Sequence, residues 1–159
     1  YGRQYDLPCV VLVPANLYGP EDHFEEEKSH VIPAIIRRYV EAKEEGLTEV
    51  SNWGTGTPTR EFLHVKDAAE AIALAAETEV SSEPMNLGTG VETSISELTT
   101  IIANAVGYEG EVVWDTSKPD GQPKRFLDVS RAKERLGFEA KISLEDGIAE
   151  TVEWYKQNR

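Results

Sequence analysis

Apolar residues recur at helical spacing in four stretches of the chain. Val31, Ile32, Ile35, Ile36, Tyr39 and Val40 make one face of a helix that Ser29 caps, that tolerates Pro33 in its first turn and that Gly46 stops. A second helix runs from Val65 through the alanine-rich residues 67–76, whose small side chains permit close packing. A capping box, Ser94-Ile95-Ser96-Glu97, opens a third that carries Leu98, Ile101, Ile102, Ala105 and Val106 and stops at Gly107. Ser143 with Asp146 opens the last, with Leu144, Ile148, Val152 and Tyr155 on one face; a short helix over residues 131–136 precedes it, capped by Asp128 or Ser130 and ended by Gly137. Between these lie short apolar runs that read as strands: residues 10–13, 49–53, 85–88 and 112–114, with residues 125–129 extended. Helices alternating with short apolar strands predict an α/β protein, and the run at 10–13 reads as a strand buried on both faces of a parallel sheet. Residues 1–5 read as the last turn of a helix, and the 159 residues as one compact unit.

The loops between these elements hold the chemistry. The strand at 10–13 ends in Pro14-Ala15-Asn16-Leu17-Tyr18-Gly19-Pro20, a loop at the carboxyl edge of the sheet, where open α/β sheets bind ligands and where ordinary connections also run. Trp53-Gly54-Thr55-Gly56-Thr57-Pro58-Thr59-Arg60 brings an indole in and a guanidinium out of a glycine- and proline-broken loop. Those two groups are complementary grips on a nucleotide, a flat π face for a base or sugar and a planar fork for phosphate oxygens. An ordinary surface loop has the same composition, and no Gly-Lys-Ser/Thr follows to make a phosphate-cradling P-loop. Residues 117–123 form a turn-rich loop that bears both Lys118 and Asp120. His30, at the mouth of the first long helix, is either a proton donor near neutral pH or a surface or capping histidine.

Charge narrows the partners. A net charge of −13 repels nucleic acid and anionic membranes at long range, and no run of 18 apolar residues is present, so neither is expected as a partner. In so acidic a chain an arginine beside aromatic or glycine residues stands out as a contact for a small anion. The acidic run Glu21, Asp22, Glu25, Glu26, Glu27 reads as a solvated face and not a metal site, and no metal is expected. The one cysteine, Cys9, lies in an apolar run and is expected to be a buried, inert thiol, with the cytoplasm as the default compartment. Gly88-x-Gly90 lacks the third glycine and the downstream acid of a dinucleotide fingerprint.

Four segments taken together, residues 14–20, Ser29-His30-Val31-Ile32-Pro33-Ala34, residues 53–65 with Arg60-Glu61-Phe62-Leu63-His64-Val65, and Lys118-Pro119-Asp120-Gly121-Gln122-Pro123, resemble the carboxyl-terminal half of the extended short-chain dehydrogenases/reductases. The likeness covers essentially the whole chain. Its second and fourth segments resemble the branch that converts GDP-4-keto-6-deoxy-D-mannose to GDP-L-fucose by 3,5-epimerisation and NADPH-dependent 4-reduction.

The resemblance implies a few Rossmann-sheet strands plus a small α/β substrate-binding subdomain. It implies NADP as cofactor, bound mainly by an amino-terminal half absent here, with Pro14, Ala15, Asn16, Leu17 and His30 at its nicotinamide end. It makes His30 the acid of epimerisation and puts a GDP-sugar against Arg38, Trp53, Arg60 and Asp120. It implies a homodimer for the complete enzyme. The family's glycine-rich loop and its Tyr-x-x-x-Lys pair are not matched by Tyr1-Gly2-Arg3-Gln4-Tyr5, so the isolated chain is expected to be inactive. Three alternatives stay open: another nucleotide-sugar epimerase or dehydratase, a non-catalytic nucleotide-sugar-binding module, and a purely structural acidic domain.

Overall fold

The computed structural model describes residues 2–5, 9–25, 29–78 and 83–159; Glu26 and Glu27 of the acidic run lie outside them. In chain order the elements are α1 (Gly2–Tyr5), β1 (Leu12–Pro14), β2 (Asn16–Tyr18), α2 (Val31–Glu44), β3 (Glu49–Trp53), β4 (Thr59–Arg60), β5 (Phe62–His64), α3 (Val65–Glu77), β6 (Met85–Leu87), β7 (Thr93–Ser94), α4 (Ile95–Val106), β8 (Glu111–Asp115), α5 (Ser130–Leu136) and α6 (Leu144–Asn158). Three strand pairs are parallel, β1 with β6, β2 with β5 and β3 with β8; β4 and β7 pair antiparallel. The α/β expectation therefore holds, with the parallel pairs joining segments far apart in sequence.

β5 separates two apolar clusters. Because successive strand side chains face opposite ways, Phe62 enters a core built by α2, α4 and α6 around Ile36, Leu98, Ile102 and Ile148, while Leu63 enters one built by α3, α5 and β6 around Ala71, Met85, Leu87 and Ala132. All three β5 residues are buried. The helix signals act as expected: Ser94 Oγ accepts from the Glu97 N–H and Ser143 Oγ from the Asp146 N–H, and Gly107 and Gly137 end α4 and α5 in left-handed backbone.

Several expectations fail, each for a physical reason. Residues 14–20 are not all loop: Ala15 N–H donates to Leu87 O and Asn16 N–H to Glu61 O, so the chain leaves β6 and continues at once as β2 beside β5. β1 is not buried on both faces. It pairs with β6 alone among the described residues, and Val11 and Val13 are 48% and 38% exposed. Cys9 is correspondingly exposed rather than buried. Ser29 does not cap α2; His30 occupies that position in extended backbone, with no side-chain capping bond. Neither Asp128 nor Ser130 is the cap of α5: the helix begins at Ser130 with Val129 at the cap position, and the Ser130 N–H and Oγ both donate to Asp128 Oδ1.

His64 ends β5 and opens α3. Its Nδ1 accepts from the Lys66 N–H at 3.3 Å, which assigns the ring proton to Nε2. Nε2 has no hydrogen-bond partner and stands 3.9 Å from Glu150, while the Tyr18 ring meets the imidazole edge-on. Burial pushes His64 below the usual histidine range; Lys66 acts in the same direction, and Glu150 and Asp67 oppose it. The folded state therefore prefers the neutral ring. Its contribution is fully present above the unfolded value of ~6.5 and is lost as pH falls towards and through the lowered folded value, with a slope of at most ~1.4 kcal/mol per pH unit. Urea melts at pH 7.5 and 5.5 are expected to show less stability at the lower pH. His64→Asn is expected to flatten that dependence, and an unchanged slope in the variant would locate the effect elsewhere.

Candidate functional site

A cleft of about 610 Å3 lies between the β2 edge and the start of α2. Ala15, Asn16 and Leu17 form one wall and His30 with Val31 the other, so four of the five residues expected near the nicotinamide come together. Pro14 closes β1 opposite Leu87, one residue before the wall begins. Asn16 is fixed by its Nδ2, which donates to Glu61 O at 2.8 Å. His30 is exposed and its ring is not spent on capping α2. Among the described residues that line it there is no lysine or arginine and there are two carboxylates, Glu21 and Asp22, with Glu21 in left-handed backbone at φ 68°. Such a lining suits the uncharged nicotinamide-ribose end of a dinucleotide and opposes its phosphates.

A second group of residues assembles at the carboxyl ends of β3 and β8. In this parallel pair Trp53 stands opposite Asp115, so both strands deliver their following loops to one edge. The Trp53 indole is 71% exposed, with Lys118 Nζ 5.8 Å from the ring centroid. Asp120 ties the loops together: Oδ1 accepts the Thr55 N–H at 2.6 Å and Oδ2 the Thr55 hydroxyl at 2.9 Å. Gly54 is required there. Its φ is +82°, and a Cβ would overlap the Asp120 carboxylate. The same segment then runs to β4, where Thr59 N–H donates to Pro123 O at 2.9 Å and Arg125 N–H to Thr59 O at 3.2 Å. Arg60 is half-buried beside it and uses one donor on Thr59 O at 2.7 Å. Residues 115–125 thus run from Asp115 beside Trp53, through Asp120 on Thr55, to Pro123 and Arg125 on Thr59, the residue before Arg60.

Arg38 stands apart from the cleft. Its guanidinium donates to Asn52 Oδ1 at 3.1 Å, and Asn52 Nδ2 in turn donates to the buried Tyr39 hydroxyl at 2.8 Å. The burial of β3 alternates, so Ser51, near Arg38, shares the outer strand face with Trp53. Glu41, Glu45 and Glu49 line the same shallow hollow as Arg38, which weakens its pull on an anion. Among the described residues no group of three or more His, Cys, Asp or Glu is placed to hold a metal ion.

The sequence reading passed over two features. Tyr39 and Lys43 do have the Tyr-x-x-x-Lys spacing, yet Tyr39 is wholly buried and Lys43 donates to Val106 O at the end of α4, so this pair serves packing. Glu61 received no role, although it is a carboxylate at 1% exposure between Arg60 and the apolar β5. The available signal was the charge itself, set against an otherwise apolar strand.

Residues 1–88 match the model of the NAD dependent epimerase/dehydratase family. Over 168 aligned residues the chain is 48% identical to GDP-L-fucose synthase of Escherichia coli strain K12, covering all of this chain and 52% of that protein. A crystal structure of a GDP-L-fucose synthetase from Naegleria fowleri bound to NADP superposes with a TM-score of 0.85 at 33% identity, over 94% of this chain and 47% of that one. UDP-glucose 4-epimerase of Thermotoga maritima, solved with UDP-glucose, gives a TM-score of 0.85 at 34% identity, over 98% and 48%. The chain spans about half the length of the curated relatives it matches.

Proposed function

Because this chain belongs to the NAD dependent epimerase/dehydratase family, we propose that it forms the nucleotide-sugar-binding part of an epimerase/reductase that makes GDP-L-fucose. The observation that carries this reading is the run of residues 115–125, which ties the end of β3, with its exposed Trp53 indole, through Asp120 to Thr59, the neighbour of the half-buried Arg60. The indole, with Lys118 Nζ 5.8 Å from its ring, offers a face to the base or sugar, and the Arg60 guanidinium neutralises the diphosphate. Arg38 adds a weaker contact from the outer face of β3. Asp120 acts chiefly by holding the loop that carries Trp53, since both its oxygens are engaged by Thr55.

NADP, when bound, supplies hydride to the C4 carbonyl of the sugar. The Ala15–Leu17 wall receives its nicotinamide end, and Asn16 keeps that wall in place through Glu61 O. His30 faces the same cleft and serves as a proton donor while the carbon acids beside the keto group invert. Tyr39, which is buried, and Lys43, which is bonded to Val106 O, take no part in hydride transfer, so the chain's share of the chemistry is gripping and proton delivery.

Two measurements test this. Calorimetric titration of the chain with GDP, UDP and dTDP is expected to show saturable binding strongest for GDP. Preference for UDP would move the chain to the 4-epimerase branch, and no binding of any of them would end the reading. In the complete polypeptide, His30→Gln is expected to slow solvent deuterium uptake at C3 and C5 by ~10²-fold or more; unchanged uptake would remove His30 from the reaction.

A further inference from the structure

We propose that Glu61 is a positioning residue that sets where the Arg60 guanidinium stands, a proposal resting on the reading of Arg60 as a diphosphate contact. A carboxylate is almost never fully buried unless its oxygens are satisfied, and Glu61 is 1% exposed. Its partners are two backbone amides from distant segments: Oε1 accepts the Gly90 N–H at 2.8 Å and Oε2 the Leu127 N–H at 3.1 Å. Gly88 makes room for it, because a Cβ at that position would overlap Oε1.

The two segments that Glu61 holds are the two that flank Arg60. On one side the Gly90 loop leads into β7, where Thr93 is the strand partner of Arg60. On the other, the chain ending at Leu127 carries Pro123 and Arg125, which bracket Thr59 through its N–H and its carbonyl. Thr59 O is also the acceptor for Arg60 Nη1. The Glu61 carboxylate therefore ties together the segments on both sides of the short β4 strand. Its own carbonyl meanwhile holds Asn16 in the cleft, at 2.8 Å from Nδ2 and 3.3 Å from the backbone N–H. One residue links the arginine edge to the cleft wall.

Glu61→Gln keeps the shape but turns one acceptor into a donor that faces an amide N–H, releasing one of the two flanking segments. The test follows the Arg60 Nε–H resonance in ¹⁵N spectra, assigned by its loss in Arg60→Lys. In Glu61→Gln that resonance is expected to shift and broaden, and GDP affinity to fall by about tenfold. In an Arg60→Lys background the same substitution is expected to cost no further affinity, because it acts through the guanidinium.

An unmoved Arg60 resonance overturns the proposal, as does an equal loss of affinity in both backgrounds. Where Glu61→Gln does not fold, Glu61→Asp serves with the same readouts, since it keeps the charge and shortens the reach. A wild-type chain that binds no GDP would end the reading of the site, while the resonance comparison would still decide the role of Glu61.

Discussion

Arg60→Ala weakens GDP binding by about 10- to 150-fold, the loss expected when charge-assisted hydrogen bonds contributing on the order of 1.5 to 3 kcal/mol disappear from a partly desolvated site. Arg60 qualifies for the upper part of that range. It is half-buried, its neighbour Thr59 is pinned on both sides, and among the described residues one of its donors is used, on Thr59 O. Arg38→Ala is expected to cost far less, because Arg38 is exposed, is already bonded to Asn52 and sits among Glu41, Glu45 and Glu49. Calorimetry on the two variants separates the cases. Equal losses would mean that burial and carboxylate neighbours do not rank these arginines as argued.

Ile36→Ala destabilises the chain by roughly 2 to 5 kcal/mol, while Ile72→Ala stays within about 0.5 kcal/mol. The residues are of one type and both lie in helices, so the difference isolates packing. Ile36 is fully buried in the core that α2 shares with α4 and α6, and its removal leaves a cavity that surrounding helices close only in part. Ile72 is 56% exposed on α3, where truncation removes little buried area. Urea melts measure both. A large loss at Ile72 would show that its face of α3 is covered in solution.

The parts of the fold legible in the sequence are those fixed by neighbouring residues. Glu49–Trp53 is the strand the pattern predicts, and the Ser94 and Ser143 caps and the Gly107 and Gly137 stops are local hydrogen-bond and backbone effects that need no tertiary partner. What the sequence hid depends on distant pairing. That residues 16–18 form a strand is decided by β5, more than forty residues on, and nothing within residues 14–20 reveals it. The exposure of Cys9, Val11 and Val13 likewise depends on what covers β1, which an apolar run cannot state.

The site divides the same way. Trp53 and Arg60 were visible because an indole and a guanidinium around a broken loop are chemically conspicuous. Glu61 was not, because its importance lies in the Gly90 and Leu127 amides it receives. Asp120 was visible as a loop acid, but its binding of Thr55 emerges only once β3 and β8 are side by side.

The most direct test of the central claim is the pattern of amide and side-chain shifts in ¹⁵N spectra as GDP is added to the chain. The account predicts that the Trp53 indole, residues 54–60 and residues 117–125 move together along one saturation curve, with α5 and the outer face of α3 undisturbed. Movement centred on α3 or α5, or a spectrum unchanged at saturating GDP, would contradict it.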